Sequence, residues 1–261
     1  MNKTELIVQV SPNTLLRNLA TDGVLIAIKD FAVGQETYFT VTMLDELLNS
    51  TSNKHIYLLL NRYFKENELL KLKDFLNQYL NKVTGIFYSD PAVYQLGKEN
   101  GNVGKLVMAD NALITSKEEL DSYLSLGIGG ALVSPFITNE EILRILSVQP
   151  KGMIMGYGHR RLAYSQRKFI TAYANQHGQN LDLNKTYLIR EPAREESLKI
   201  REDENGTMIY EDKAYFEEDL LKSALKQGVE KILLTNIFLS AEELEEKAQY
   251  LFRMKETYEP E

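Results

Sequence analysis

Cysteine is absent from the chain, and that single absence removes several kinds of chemistry. Disulfides, thiolate nucleophiles, Cys-ligated iron–sulfur clusters and Cys-type zinc sites are all excluded. Histidine is scarce: only His55, His159 and His177 occur, and they share no metal-binding spacing. The G-x-S-x-G elbow, the H-E-x-x-H helix and the Walker loop do not occur either, and Gly156-Tyr157-Gly158 lacks the third glycine of a dinucleotide fingerprint. Long apolar runs are also missing. No segment approaches the roughly 20 residues that span a bilayer, and the opening MNKTELIVQV has no signal-peptide pattern. The expectation is a cytoplasmic protein with no membrane partner and no cofactor held by this chain.

The 261 residues are 44% apolar, enough for a substantial core, and carry a formal net charge of -7. Such a charge argues against nonspecific nucleic-acid binding over the whole surface, although a local basic patch remains compatible with it.

Eight short apolar runs recur along the chain: Leu6–Val10, Val24–Ile28, Ile56–Leu60, Gly85–Tyr88, Lys105–Ala109, Gly130–Val133, Gly152–Met155 and Lys231–Leu234. Nearly continuous rather than alternating hydrophobicity is what strands buried on both faces require, so a parallel sheet is predicted. Amphipathic helices are predicted between the strands. Ser11-Pro12 should open the first, with Leu15, Leu16 and Leu19 inward, and Pro91 should open another behind Asp90. Ser116 with Glu119, and Thr138 with Glu141, have the spacing of capping boxes, and Ser240 with Glu243 should cap the last helix in the same way. Eight βα units predict a single α/β domain over 1–261, a (β/α)8 TIM-type barrel, with a doubly wound open sheet as the alternative.

One segment breaks the repeat. Asn205-Gly206 stands between two β-type runs and predicts a hairpin. A small antiparallel β insertion is therefore expected over 186–216, between the seventh and eighth units. It is acidic, with Glu191, Glu195, Glu196, Glu202, Asp203, Glu204, Glu211 and Asp212. Such a run is ordinarily a solvated face; an ion-pairing lid is the second reading.

In a barrel the C-terminal strand ends share one face, and ligands bind there. The residues expected on it are Asp30, Asn61, Asp90, Asp110, Asn111, Ser134, Tyr157, His159, Arg160, Arg161 and Asn236. Asp110 and His159 are the candidate acid–base groups, whereas Asp90 is expected chiefly to cap the helix after it. The segment Lys151 to Tyr173 holds His159, Arg160, Arg161, Arg167 and Lys168 without a single Asp or Glu. It reads as a strand end turning toward a helix from Ser165 onward. Either it is a solvated basic helix start or it handles an anion, for which Arg supplies a bidentate fork. Tyr157 and Tyr164 offer either stacking surfaces or ordinary packing. His55 is expected to be structural, and His177 to sit in a polar loop.

Gly156, Ser165, Arg167, Lys168 and Tyr173, followed by Glu202, Asp203, Gly206 and Thr207, form a pattern that resembles the peptidase U32 (collagenase-like protease) family. IYLLLNRYF and GIFYSDPAV are similar to that family's third and fourth strand ends, through Asn61, Asp90 and Pro91. The resemblance covers most of the chain. Without a cysteine-rich segment, the chain is most similar to the shorter branch found in Gram-positive-type bacteria. That resemblance implies hydroxylation of the wobble uridine of tRNA, in a pathway linked to prephenate. The implied partners are tRNA, a larger U32 paralog and a small anionic metabolite. The family name implies a peptidase as the competing activity, and a noncatalytic partner of the larger paralog is the third reading. Where relatives place an Arg-Glu pair at the sixth strand end, this chain has Ser134-Pro135-Phe136.

Overall fold

A computed structural model describes residues 3–50, 53–110, 113–183, 185–190, 192 and 196–258. The chain forms two compact units: Met1–Gly158 with Phe216–Glu261, and His159–Tyr215.

The first unit contains eight strands: β1 (Glu5–Val10), β2 (Gly23–Ala27), β3 (His55–Leu60), β4 (Gly85–Tyr88), β5 (Leu106–Met108), β6 (Gly130–Leu132), β7 (Gly152–Tyr157) and β12 (Lys231–Leu234). They close into a barrel in the order β1-β12-β7-β6-β5-β4-β3-β2, and each pairing is parallel. The closed form is the one found, not the open sheet.

Side chains alternate across each strand. One set makes the barrel's filling: Ile7, Leu25, Tyr57, Phe87, Val107, Leu132, Met153 and Leu233 form one buried cluster. The other set, including Leu6, Val8, Ile26, Leu58 and Ile232, is equally buried. Both faces must therefore be apolar, which is why the strands read as unbroken runs.

The caps expected at Asp90, Ser116, Thr138 and Ser240 form. Thr40 caps α1 (Val41–Asn49), and Asp90 caps α3 (Pro91–Glu99) behind α2 (Leu69–Tyr79). Capping boxes open α4 (Lys117–Ser125) at Ser116 and α5 (Asn139–Val148) at Thr138. Ser240 accepts the Glu243 amide at the start of α8 (Ala241–Tyr258). The Glu243 carboxylate does not complete a box; it accepts the Tyr157 hydroxyl instead.

The helix expected after β1 does not form. Only a 3-10 turn, Leu16–Asn18, lies there, and Leu15 is 55% exposed. The reason is partly a distant one: the Ser11 amide pairs with Thr14 Oγ1, and Asn236 Nδ2, far along the chain, donates to the Ser11 hydroxyl. The oxygen that would have capped a helix is already engaged.

At the N-terminal end of the barrel, Glu5 accepts the Tyr57 hydroxyl at 2.7 Å and meets His55 Nδ1 at 2.7 Å. Beside it Asp22 accepts the Leu6 amide and pairs with the fully buried Lys255 at 2.5 Å. These contacts hold the end of the barrel that conventionally serves stability.

The second unit is larger than the hairpin expected over 186–216, because it starts at His159. It contains β8 (Arg161–Ser165), α6 (Phe169–His177), β9 (Tyr187–Ile189), β10 (Leu198–Asp203) and β11 (Gly206–Glu211); α7 (Glu218–Lys226) then belongs to the first unit. Its four strands are antiparallel in the order β8-β11-β10-β9. The segment through Ser165, expected to turn into a helix, is instead an edge strand, because β11 supplies a pairing partner far along the chain. The helix starts only at Phe169, and His177 is its last residue rather than part of a loop. The β10–β11 hairpin forms where Asn205-Gly206 predicts it. Only Gly206 takes positive φ, at 135°. A Cβ there would lie 2.0 Å from the Ser165 carbonyl oxygen, so the position admits no side chain.

Candidate functional site

Within the barrel unit, most polar residues at the strand ends serve the fold. Asn61, buried after β3, accepts the Val33 amide at 2.9 Å and pins the loop that follows β2. Asp90 accepts both the Ala92 amide at 2.8 Å and the Phe64 amide at 2.7 Å. The first contact is its expected cap of α3 and the second ties down the segment after β3, so both carboxylate oxygens are engaged. Asp30 has φ 72° and faces Lys71 at 2.7 Å. Asp110 lies 3.3 Å from the Tyr63 hydroxyl. Ser134 is buried, with its oxygen accepting the Phe136 amide. Asn111, Glu191 and Glu195 lie outside the described residues.

The strand ends of β7, β12 and β1 are different. Thr235 and Asn236 follow β12, and the Thr235 amide donates to the Tyr157 carbonyl. Asn236 reaches across to Ser11 at 2.9 Å, just past the end of β1. On β1 itself, Gln9 Nε2 donates to Gln35 Oε1 at 2.6 Å, and both side chains are buried. Thr235 Oγ1 and Asn236 Oδ1 are screened from solvent and have no hydrogen-bond partner among the described residues. Turning the Asn236 amide over exchanges which of its ends meets Ser11 and leaves the other unmatched. Buried polar atoms ordinarily find partners, so this end of the barrel has hydrogen-bonding capacity for a guest. Gly158 borders it at φ 134°, where a Cβ would fall 2.0 Å from Thr235 Oγ1. Tyr157, the last residue of β7, donates its hydroxyl to Glu243 at 2.8 Å; burial, helped by that carboxylate, pushes its pKa up to about 12. It is a packed residue, with Phe216 at 5.9 Å against its ring.

The second unit holds the basic segment. His159 is buried, and its Nδ1 lies 2.9 Å from the Glu211 carbonyl. A carbonyl only accepts, so this nitrogen carries a proton. Arg160 makes a bidentate fork with the Glu211 carboxylate, at 2.6 and 2.7 Å, while its guanidinium lies 4.7 Å from the Tyr215 ring centre. The cation expected at the barrel rim is therefore committed to an acid of its own unit. Arg161 lies over the Tyr164 ring at 5.8 Å and pairs in register with Tyr210. Burial pushes the Tyr210 hydroxyl up to about 12, against the opposing pull of Arg161 and Arg201. Arg167 and Lys168 are exposed, immediately before α6.

Glu202, read in the sequence as part of an acidic run, is 2% exposed. Its carboxylate accepts the Ile170 amide at 2.7 Å, the Thr171 amide at 3.3 Å and the Thr171 hydroxyl. Thr207, which pairs with Glu202 across the hairpin, takes the Phe169 amide at 2.9 Å. Thus Glu202, Gly206 and Thr207 form the socket in which the N-terminus of α6 sits. The spacing of Glu202 and Thr207 around the turn was the available signal, since a two-residue hairpin sets them opposite one another.

Among the described residues no group of three or more His, Asp or Glu side chains is arranged to hold a metal ion. Among the described residues no helix is long and apolar enough to cross a membrane.

Several comparisons place the chain. The structure of the U32 peptidase Mk0906 superposes with a TM-score of 0.55 at 13% identity, over 90% of this chain and 93% of that one. At that identity the likeness is one of fold. The Bacillus cereus spore cortex-lytic enzyme SleL gives a TM-score of 0.44 at 14% identity, over 97% of this chain and 74% of its own. The chitinase RmChi1 from Rhizomucor miehei gives 0.44 at 9%, over 96% and 100%. No curated protein matches the sequence. The model of peptidase family U32 matches residues 13–217, which include six of the barrel strands and the whole second unit. This chain belongs to peptidase family U32.

Proposed function

We propose that this U32-family protein works in the hydroxylation of the wobble uridine of tRNA, as a binding and positioning subunit beside a larger U32 paralog that supplies the redox chemistry. One observation carries the reading. From Lys151 to Leu181 the sequence has no Asp or Glu, although the whole chain has a net charge of -7. Arg160 in that stretch is matched by Glu211, and the exposed Arg167 and Lys168 are the cations that would attract a polyanion. This chain has no cysteine to ligate a cluster, which supports leaving the redox chemistry to a partner. The unmatched atoms of Thr235 and Asn236 support a small-molecule site on the barrel unit, where the anionic metabolite implied by the resemblance would bind.

The test is genetic. Deleting the gene, together with any duplicate paralog, is expected to lower hydroxylated wobble uridine in total tRNA measured by nucleoside mass spectrometry. Unchanged levels would sink the proposal.

A further inference from the structure

We infer that the outer face of α6 is a stacking platform for the unpaired bases of an RNA loop, with Arg167 and Lys168 holding its phosphates. This deepens the reading just given and rests on it for the identity of the RNA.

The inner face of α6 is ordinary: Ile170 and Ala174, four residues apart, are buried. The outer face is not. Phe169, Tyr173 and His177 follow at the same four-residue interval and so lie along one line of the helix. Phe169 is 45% and Tyr173 51% exposed, and His177 is exposed beside them. The Tyr173 and His177 rings already lie against each other, with centres 4.4 Å apart. A single exposed ring needs no explanation. Three in a row, over roughly 12 Å of helix at 1.5 Å per residue, are costly to leave in water unless something covers them.

The two cations sharpen the identity of that cover. Arg167 and Lys168 stand at the positive end of the helix dipole, where a positive side chain is disfavoured. They do not cap the helix: its first amides donate to Glu202 and Thr207, and a guanidinium or ammonium has no acceptor to offer them. The nearest acid in sequence after them is Asp182. Among the described residues, neither the guanidinium nor the ammonium has a hydrogen bond or ion pair. Flat rings beside unneutralised cations suit a ligand that is both anionic and aromatic. A nucleic-acid duplex hides its base faces, whereas an unpaired loop offers them. An apolar protein surface would use the rings and leave the charges unexplained.

The full-length protein is titrated into a fluorescein-labelled anticodon stem–loop, and into the same strand annealed to its complement, at several salt concentrations. The stem–loop is expected to bind more tightly than the duplex. Phe169→Ser and Tyr173→Ser are each expected to weaken stem–loop binding about tenfold or more, the loss typical of one stacked base. The Arg167→Ala/Lys168→Ala double change is expected to flatten the log–log salt slope by about 1.4, at about 0.7 per phosphate contact on single strands. All four positions are exposed, so circular dichroism should show the fold unchanged. Stem–loop binding that is indifferent to both ring substitutions overturns the platform and leaves the tRNA reading standing. A wild-type protein that binds no RNA, but whose ring variants lose co-purification with the larger paralog, overturns it in favour of a protein interface. Ring-dependent binding in a system whose deletion strain keeps its hydroxylated uridine supports the platform and removes the wobble-uridine reading.

Discussion

Replacing Glu202 tests how the second unit is held together. Its carboxylate accepts two backbone amides of the first turn of α6 and the Thr171 hydroxyl, while only 2% exposed. Hydrogen bonds to a charged acceptor contribute about 1.5–3 kcal/mol each when judged by deletion, and they do not add fully. An anion at a partly buried helix N-terminus contributes up to about 2 kcal/mol. Glu202→Ala should therefore cost the α6 socket about 3–4 kcal/mol. Glu202→Gln keeps one accepting oxygen but loses the charge, and should cost about 1–2 kcal/mol. Global melting is a poor reporter in a protein of two units, since the transitions need not coincide. Hydrogen exchange by mass spectrometry is the better assay. At 1.4 kcal/mol per factor of ten, peptides covering α6 should exchange about 100-fold faster or more in the alanine variant and about tenfold faster in the glutamine variant. If exchange over α6 is unchanged in Glu202→Ala, the socket is not what holds the helix.

Two further predictions concern the barrel unit. Removing Asp22 leaves the fully buried Lys255 ammonium without its 2.5 Å partner, so Asp22→Ala should lower stability to urea by about 3–5 kcal/mol, and Lys255→Met by clearly less; equal losses would contradict the argument. An alkaline weakening is also expected. Burial raises the hydroxyls of Tyr57, Tyr88 and Tyr157, the last to about 12. In the unfolded chain these groups lose their protons near pH 10. Between about pH 10 and 12 the folded state thus binds more protons, and stability must fall as pH rises. Exposed tyrosines should ionise at about pH 10 with the fold intact, and a second rise in tyrosinate absorbance should coincide with unfolding; ionisation of every tyrosine at about pH 10 in a folded protein would refute it.

The barrel was legible because its strands are buried on both sides. That demand leaves unbroken runs such as IYLLL and GIFY, and their positions fall within a residue or two of the observed strands. The caps at Asp90, Ser116 and Thr138 were equally plain, since they depend only on residues a turn away. What failed depended on distant partners. Ser11 looks like a helix cap until Asn236, far along the chain, takes its hydroxyl. Arg161–Ser165 reads as the approach to a helix until β11 pairs with it. The same holds for the site. Arg160 is visibly a cation at a glycine turn, but its fork with Glu211 depends on a hairpin some fifty residues later. Thr235 and Asn236 carry no pattern of their own; their unmatched atoms emerge only when three strand ends converge. Phe169, Tyr173 and His177 have helical spacing, but the sequence alone does not reveal which face of α6 turns inward.

In the second unit the first strand pairs with the last: β8 lies against β11, and the Glu211 amide donates to the Arg160 carbonyl. The segment thus departs and returns through neighbouring backbone. On the barrel side, Tyr157 and Phe216 flank the junction with their rings 5.9 Å apart. Whatever the length of chain between those two points, the distance it must bridge stays the same. None of the pairings that close the eight-stranded barrel uses a strand of this segment, so its length is not set by the closure.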